Sequence, residues 1–341
     1  MALVGYGFVG KVFHAPLITR TPGLRLHSVV SSDAGKVRAD HADVRVVGDA
    51  EVAFADPDID LVVIAAPNAA HAPLAEAALA QGKHVVVDKP FTVTLEEARQ
   101  VVAHAARAQR IVSVFQNRRW DADFLTLQKL IAQDALGEVM EFHSHFDRYR
   151  PVVADRWRER DQPGSGVWYD LGPHLLDQAL QLFGVPEAIG ADIALQRDGA
   201  QTADYFHVLL RYPKLRVVLH AGALVAAHGL RFAVHGTRGS FIKHGMDPQE
   251  EALRDGQTPG QAGWGKDPQP GTLYSGAEAR TEVVESVPGD YVRYYSLLRD
   301  AILQGSAPAV TTTQALQVMS MLEWGMRSSA ERREIACTPV A

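Results

Sequence analysis

The sequence predicts an α/β N-terminal domain, built on a doubly wound parallel sheet, and an α+β C-terminal domain with an open, mainly antiparallel sheet. Three observations carry this expectation. The first third alternates short Val-, Ile- and Leu-rich runs with Ala- and Glu-rich stretches of helical spacing. A Gly-rich turn, Gly5-Tyr6-Gly7-Phe8-Val9-Gly10, sits between the first run and the first helical pattern. Beyond Asn117 come longer alternating runs with few helices between them.

The parallel strands are expected at 2–4, 26–30, 61–66, 84–87 and 111–115, with helices at 73–81 and 95–108 among them. The run before Gly5 is short for a central strand. That leaves open whether the visible start is the biological one. After Asn117, the residues Trp120, Phe124, Leu127 and Ile131 recur on one helical face. Alternating runs at 138–146, 188–196, 205–211, 216–221, 230–234 and 240–243 read as antiparallel strands. A helix over 167–183 interrupts them. The Gly-, Pro- and Gln-rich stretch 255–279 reads as a long loop, and helices over 291–303 and 313–327 close the chain. The expected domains are therefore 1–117 and 118–341.

Composition narrows the function classes. At 341 residues the chain exceeds one ordinary core. A net charge of −6, from 34 basic and 40 acidic residues, argues against nucleic acid or an anionic membrane as partner. There is no apolar run of bilayer length and no secretory leader pattern, so a cytoplasmic protein is expected. The single cysteine, Cys337, excludes a disulfide framework, and none of the 14 histidines shows a metal-ligand spacing. No metal is expected.

The Gly-rich turn has the spacing of a Rossmann dinucleotide site. Gly5 permits the tight turn, Gly7 lets backbone approach a pyrophosphate, and Gly10 lets helix and strand pack closely. The helix that follows offers free N–H groups to the phosphates, so Phe8 and Val9 join the cofactor candidates. Past the second strand, an NAD site usually carries an acid for the ribose 2′-hydroxyl. Here stand Ser31 and Ser32, with Lys36 and Arg38 a turn further on, which favours NADP. Asp33 keeps NAD open, and Lys36 and Arg38 also suit a solvated helix face.

Ligands of such sheets sit beyond the carboxyl ends of the strands. That puts Ala66, Pro67 and Asn68 at the cofactor, with Asn68 alternatively capping a helix. His71 is either a cofactor contact or an ordinary helix residue. Asp88-Lys89-Pro90 ends another strand, so Asp88 and Lys89 face the same cleft. In the second half, Gly164-Ser165-Gly166 leads into a helix that carries Asp170 and His174 four apart, on one face. Histidine is the usual side chain for moving a proton near neutral pH.

Asp88-Lys89-Pro90 after the run Gly82-Lys83-His84-Val85-Val86-Val87 resembles the Gfo/Idh/MocA oxidoreductases, although that family usually has Glu before the Lys. The Gly-rich turn followed by Asp170-x-x-x-His174 is similar too. So are 10–17, 116–125, 147–151, 204–207 and 247–250, which resemble the subgroup containing NADP-dependent scyllo-inositol 2-dehydrogenases. The likeness spans almost the whole length. It implies reversible hydride transfer between a nicotinamide and a secondary alcohol of a cyclitol, polyol or sugar. It implies catalytic roles for Lys89, Asp170 and His174, with His174 or Lys89 as the base. Asn117, Arg148, Tyr149 and Trp157 are further substrate candidates, and Asn117 a cofactor candidate as well. The resemblance also implies a homodimer or homotetramer formed through the C-terminal sheet. An aldose or anhydro-sugar reductase is the neighbouring reading. A non-catalytic dinucleotide-binding sensor is the reading from another class.

Overall fold

The computed structural model describes the chain apart from Arg156, His228, Ala277, Val340 and Ala341, and apart from the side chain of Trp157. It forms two compact units. The first comprises Met1–Asn117, Gln249–Trp264 and Asp290–Leu316; the second comprises Arg118–Pro248, Gly265–Gly289 and Gln317–Ala341. By packing, two later segments thus join the first unit. They return because their aromatic side chains complete the first core: Tyr291, Tyr294 and Tyr295 are fully buried there, and the Tyr294 ring meets Phe115 edge-on at 4.9 Å.

Among the described residues, six strands form the first sheet: β1 (Ala2–Val4), β2 (Ser28–Val30), β3 (Arg45–Val47), β4 (Leu61–Ile64), β5 (His84–Val87) and β6 (Val112–Val114). All pair in parallel, in the order β3-β2-β1-β4-β5-β6. This is the Rossmann order, whose direction reverses between β1 and β4. Its helices are α1 (Ala15–Arg20), α2 (Ala34–Asp40), α3 (Ala50–Phe54), α4 (His71–Ala80) and α5 (Leu95–Ala108). β1, β4 and β5 are buried on both faces, as a sheet covered by helices on both sides requires. The start of α5 is set locally. Thr94 accepts the Glu97 amide and Glu97 accepts the Thr94 amide, a complete capping box. β1 has only three residues, as the sequence indicates. The returning segments add α8 (Gln249–Arg254) and α9 (Val292–Gln304).

The second unit contains α6 (Ala122–Ala132), β7 (Val139–His145), α7 (Gly166–Phe183), β8 (Ala188–Ala194), β9 (Tyr205–Arg211), β10 (Arg216–Gly222), β11 (Leu230–Gly236), β12 (Gly239–His244), β13 (Gly271–Ser275), β14 (Arg280–Val284), the greater part of α10 (Thr312–Glu331) and β15 (Ile335–Ala336). Among the described residues, its nine strands run β14-β13-β12-β11-β7-β10-β9-β8-β15, and β7 with β10 is the parallel pair. The stretch 255–279 is not wholly a loop, because β13 begins at Gly271. A side chain there would drive Cβ to 2.3 Å from the Phe241 ring, so the glycine is what lets this strand lie against β12.

α7 packs on β9 and β10. Its buried end is tied down by polar contacts. Asp177 accepts a two-pronged hydrogen bond from Arg119 at 2.8 and 2.6 Å, and Gln178 accepts from Arg231 at 2.7 Å. Arg231 is satisfied by Asp123 at 2.9 Å and Ser144 at 2.8 Å, as a buried guanidinium must be. Trp168 fills the gap between α7 and α10. A Cβ at Gly172 or Gly325 would fall 2.9 or 2.5 Å from its indole. No helix among the described residues is long and apolar enough to cross a membrane.

Candidate active site

In the first unit the Gly-rich turn follows β1 directly. Gly5 has φ +95°, and a Cβ there would lie 2.4 Å from the Ala65 carbonyl oxygen. A Cβ on Gly10 would lie 2.1 Å from the Gly5 carbonyl oxygen. Both glycines are thus required by the protein's own packing. Gly7 is different, since a Cβ there would meet nothing within 4 Å. Its bare side is the open face of the turn, which is what a closely approaching pyrophosphate needs. The first helical bond runs from the Lys11 amide to the Gly7 carbonyl, so the amides of Phe8, Val9 and Gly10 have no acceptor within the helix. Phe8 is exposed, with the Arg254 guanidinium 4.9 Å above its ring. These residues fit a dinucleotide.

At the end of β2, Ser31 Oγ accepts the Asp33 amide, and the Asp33 carboxylate caps α2 by accepting the Lys36 amide at 2.9 Å. Ser32 is exposed beside them. The Lys36 ammonium donates to the Tyr6 carbonyl oxygen at 2.9 Å, which brings its charge onto the Gly-rich turn itself. Nothing in the sequence spacing indicates that contact. Arg38 remains an exposed residue of α2.

Beyond β4, Pro67 precedes a short 3-10 turn, Asn68–Ala70, in which Asn68 is buried. His71 is buried as well. Its Nδ1 lies 2.8 Å from the Pro90 carbonyl oxygen and its Nε2 2.9 Å from that of Ala66. The ring therefore lies between the loops after β4 and β5, with its N–H directed at one of these two carbonyls. Asp88 also turns inward. Its carboxylate lies 3.8 Å from His14 Nε2. Burial opposes its ionisation, yet His14, with the charges of Lys89 and His71, holds its pKa below the usual carboxylate value. Lys89, next in the chain, is half-buried and joined to Pro90 by a cis bond. Asn117 is buried at the start of a 3-10 turn after β6.

In the second unit, Gly166 has φ +85°, and a Cβ on it would sit 2.5 Å from Thr202 Oγ1. The glycine permits the sharp entry into α7, which carries Asp170 and His174 one turn apart. His174 is buried and Asp170 partly exposed. Asp170 lies between two guanidiniums, 3.7 Å from Arg148 Nη1 and 3.9 Å from Arg158 Nε. Arg158 is absent from the sequence-based candidates. In the sequence it is only the neighbour of the candidate Trp157, among other arginines. Arg148 stacks on Phe146 at 4.9 Å. Tyr149 is exposed and bridges Leu224 through its backbone. Trp157 opens a 3-10 turn, and its side chain lies outside those described.

Residues 1–116 match the NAD-binding Rossmann fold of the Gfo/Idh/MocA oxidoreductases, and residues 128–337 match that family's C-terminal alpha/beta domain. The chain belongs to the Gfo/Idh/MocA oxidoreductase family. It is 53% identical over 334 residues to the uncharacterised oxidoreductase YdgJ of Escherichia coli, covering 97% of this chain and 96% of that protein. It is 40% identical over 339 residues to the scyllo-inositol 2-dehydrogenase (NADP(+)) IolW of Bacillus subtilis, covering 98% and 95%. Among solved structures, the oxidoreductase YPO2259 from Yersinia pestis superposes with a TM-score of 0.96 at 50% identity, covering 100% of this chain and 97% of that one. The family's NAD-binding domain supports a nicotinamide cofactor.

Proposed function

We propose that this oxidoreductase reversibly oxidises a secondary alcohol of a cyclitol or sugar, with scyllo-inositol as the type of substrate and NADP as the preferred cofactor. The observation that carries the reading is the placement of Asp170 and His174 on one face of α7, with Asp170 between Arg148 and Arg158. A hydroxyl-rich, uncharged ring needs such a mixture of donors and acceptors for discrimination. The likeness to a scyllo-inositol 2-dehydrogenase supports the substrate class.

When bound, the nicotinamide accepts or returns the hydride. His174 serves as the base for the hydroxyl proton. Lys89 donates to the substrate oxygen as negative charge develops there, and can also relay the proton. Asp170 holds substrate hydroxyls, assisted by Arg148 and with Tyr149, Trp157 and Asn117 as further contacts. Ser31, Ser32 and Lys36 favour a 2′-phosphate because they bring no negative side chain but one ammonium, already at the Gly-rich turn. Gly5, Gly7, Phe8, Val9, Gly10, Ala66, Pro67 and Asn68 supply backbone and side-chain contacts to the dinucleotide. His71 and Asp88 set the shape of its loops. Self-association through the C-terminal sheet, as a homodimer or homotetramer, completes the proposal.

The test is a polyol and aldose panel that includes inositol isomers, run with both cofactors. Reduced NADP should appear with a cyclitol. Lys89→Ala and His174→Ala should each lower kcat by about 10²–10⁴-fold with dinucleotide affinity nearly intact. Unchanged turnover in both variants would reject the mechanism. Tight dinucleotide binding with no turnover of any panel member would favour the sensor reading.

A further inference from the structure

The second sheet gathers histidines that are far apart in sequence. In the parallel pair β7–β10, His145 stands opposite His220; in the antiparallel pair β9–β10, His207 stands opposite the same His220. Three imidazoles thus form a row across three neighbouring strands on one face. Asp147, two residues beyond His145, projects to the same side. Its Oδ2 lies 3.1 Å from His145 Nδ1 and its Oδ1 2.7 Å from His220 Nδ1. Oδ1 also accepts the Gly222 amide at 3.1 Å, so the carboxylate is fixed by backbone as well as by the imidazoles. In the single chain the side chains of His145, Asp147 and His220 are 19%, 8% and 17% exposed.

We propose that His145, Asp147 and His220 form a binding site for a divalent late-transition-metal ion of the zinc type. One atom from each can converge, since the three ligand atoms lie within 4.8 Å of one another. Tetrahedral bonds of about 2.0–2.1 Å require donor atoms about 3.3 Å apart; the 2.7 and 3.1 Å contacts run to different oxygens of Asp147, so a small turn of the carboxylate brings one oxygen and both Nδ1 atoms, already within 4.8 Å, to that spacing. Two imidazoles and a carboxylate suit zinc, nickel or copper and disfavour magnesium or calcium, which prefer oxygen ligands alone. On binding, Nδ1 of each imidazole turns its lone pair to the metal and the ring carries its proton on Nε2. Two N–H···O hydrogen bonds break, three coordinate bonds form, and no proton need be released. The fourth position is left for water or for His207, which stands opposite His220 in the neighbouring strand, its ring 5.8 Å from that of His220. The site clamps the end of β7 to β10 immediately before Arg148, the residue whose guanidinium approaches Asp170. Its role is to stiffen that strand end.

The test is equilibrium dialysis of the chelator-stripped full chain, as it assembles in solution, against Zn²⁺ and then Co²⁺. One tightly held Zn²⁺ per chain is expected, undisplaced by excess Mg²⁺, and Co²⁺ should give the intense visible absorption of a tetrahedral site. His145→Gln and His220→Gln should each weaken Zn²⁺ binding by at least about 100-fold while dinucleotide binding persists. Loss of stoichiometric uptake in wild type, or uptake unchanged in the double variant, would overturn the proposal. If a variant fails to fold, the cobalt spectrum of the wild type decides alone, and the lack of a tetrahedral band sinks the site.

Discussion

The Nδ1 of His14 lies 2.6 Å from the hydroxyl of Tyr295, a contact between residues 281 positions apart. His14 is fully buried, covered by the Phe115 ring at 4.4 Å, and its other nitrogen faces Asp88. One imidazole thus joins the turn after the glycine motif, the strand end that bears Lys89 and the returning helix α9. The residues 10–14 that bring it inward form a π-helical turn, a wider coil that appears mostly as single turns and often at functional sites.

Tyr295→Phe removes the hydroxyl and leaves His14 Nδ1 buried without that partner. A loss of about 1–3 kcal/mol is expected. Urea denaturation followed by far-UV circular dichroism measures it, and an unchanged midpoint would show that the bond contributes nothing net.

Gly7 and Gly10 should part company on substitution. A Cβ at Gly10 collides with the Gly5 carbonyl oxygen, whereas one at Gly7 points into open space. Gly10→Ala should therefore destabilise the fold by about 1–3 kcal/mol or more. Gly7→Ala should melt like wild type yet bind dinucleotide at least about tenfold more weakly, because the added methyl stands where the pyrophosphate approaches. Calorimetric titration and a thermal melt on both variants separate the two effects. Equal behaviour in both assays would contradict the assignment.

Lys36 gives a test of cofactor preference. Its ammonium has three donor hydrogens, and one goes to the Tyr6 carbonyl oxygen. If another meets a 2′-phosphate, Lys36→Ala should cost NADPH about 1.5–3 kcal/mol of binding and NADH little. Fluorescence titration of the two reduced cofactors at one salt concentration is the measurement. An equal loss for both would mean that Lys36 only braces the turn.

What was legible in the sequence followed short-range patterns. Five of the six parallel strands, the glycine turn, Lys89 after β5 and the Asp170–His174 spacing on α7 all depend on residues near one another in the chain, whereas β3 (Arg45–Val47), three residues long and exposed at one end, gave no apolar run to find. The expected helices over 291–303 and 313–327 correspond closely to α9 and α10. Periodicity does not say which core an element joins, so the return of Tyr294 and Tyr295 to the first unit was not legible. β13 was hidden because Gly and Pro dominate its surroundings and break the alternation that marks a strand. His14 sat in a quoted motif with no sign that it faces inward. The His145–Asp147–His220 cluster depends on strand register, with Asp147 and His220 lying 73 positions apart. Only the polar alternation Glu141, His143, His145, Asp147 hinted at it.

Asp147 should shape the acid limb of the stability curve. Burial opposes its charge, but the hydrogen bonds and charges of His145 and His220 outweigh it and depress the pKa well below the usual carboxylate value. His143 and His207 stand beside the same two rings. A depressed carboxylate contributes its full stability above the unfolded pKa of about 4, and loses it as pH falls through the folded value. Asp147→Asn should therefore be less stable than wild type at pH 7, and the gap should narrow only below about pH 4. Denaturant midpoints taken from neutral to acid pH, with chelator present so that no metal contributes, give the comparison. A gap that stays constant down to strong acid would mean the carboxylate charge adds nothing and that Asp147 serves only to fill space and accept the Gly222 amide.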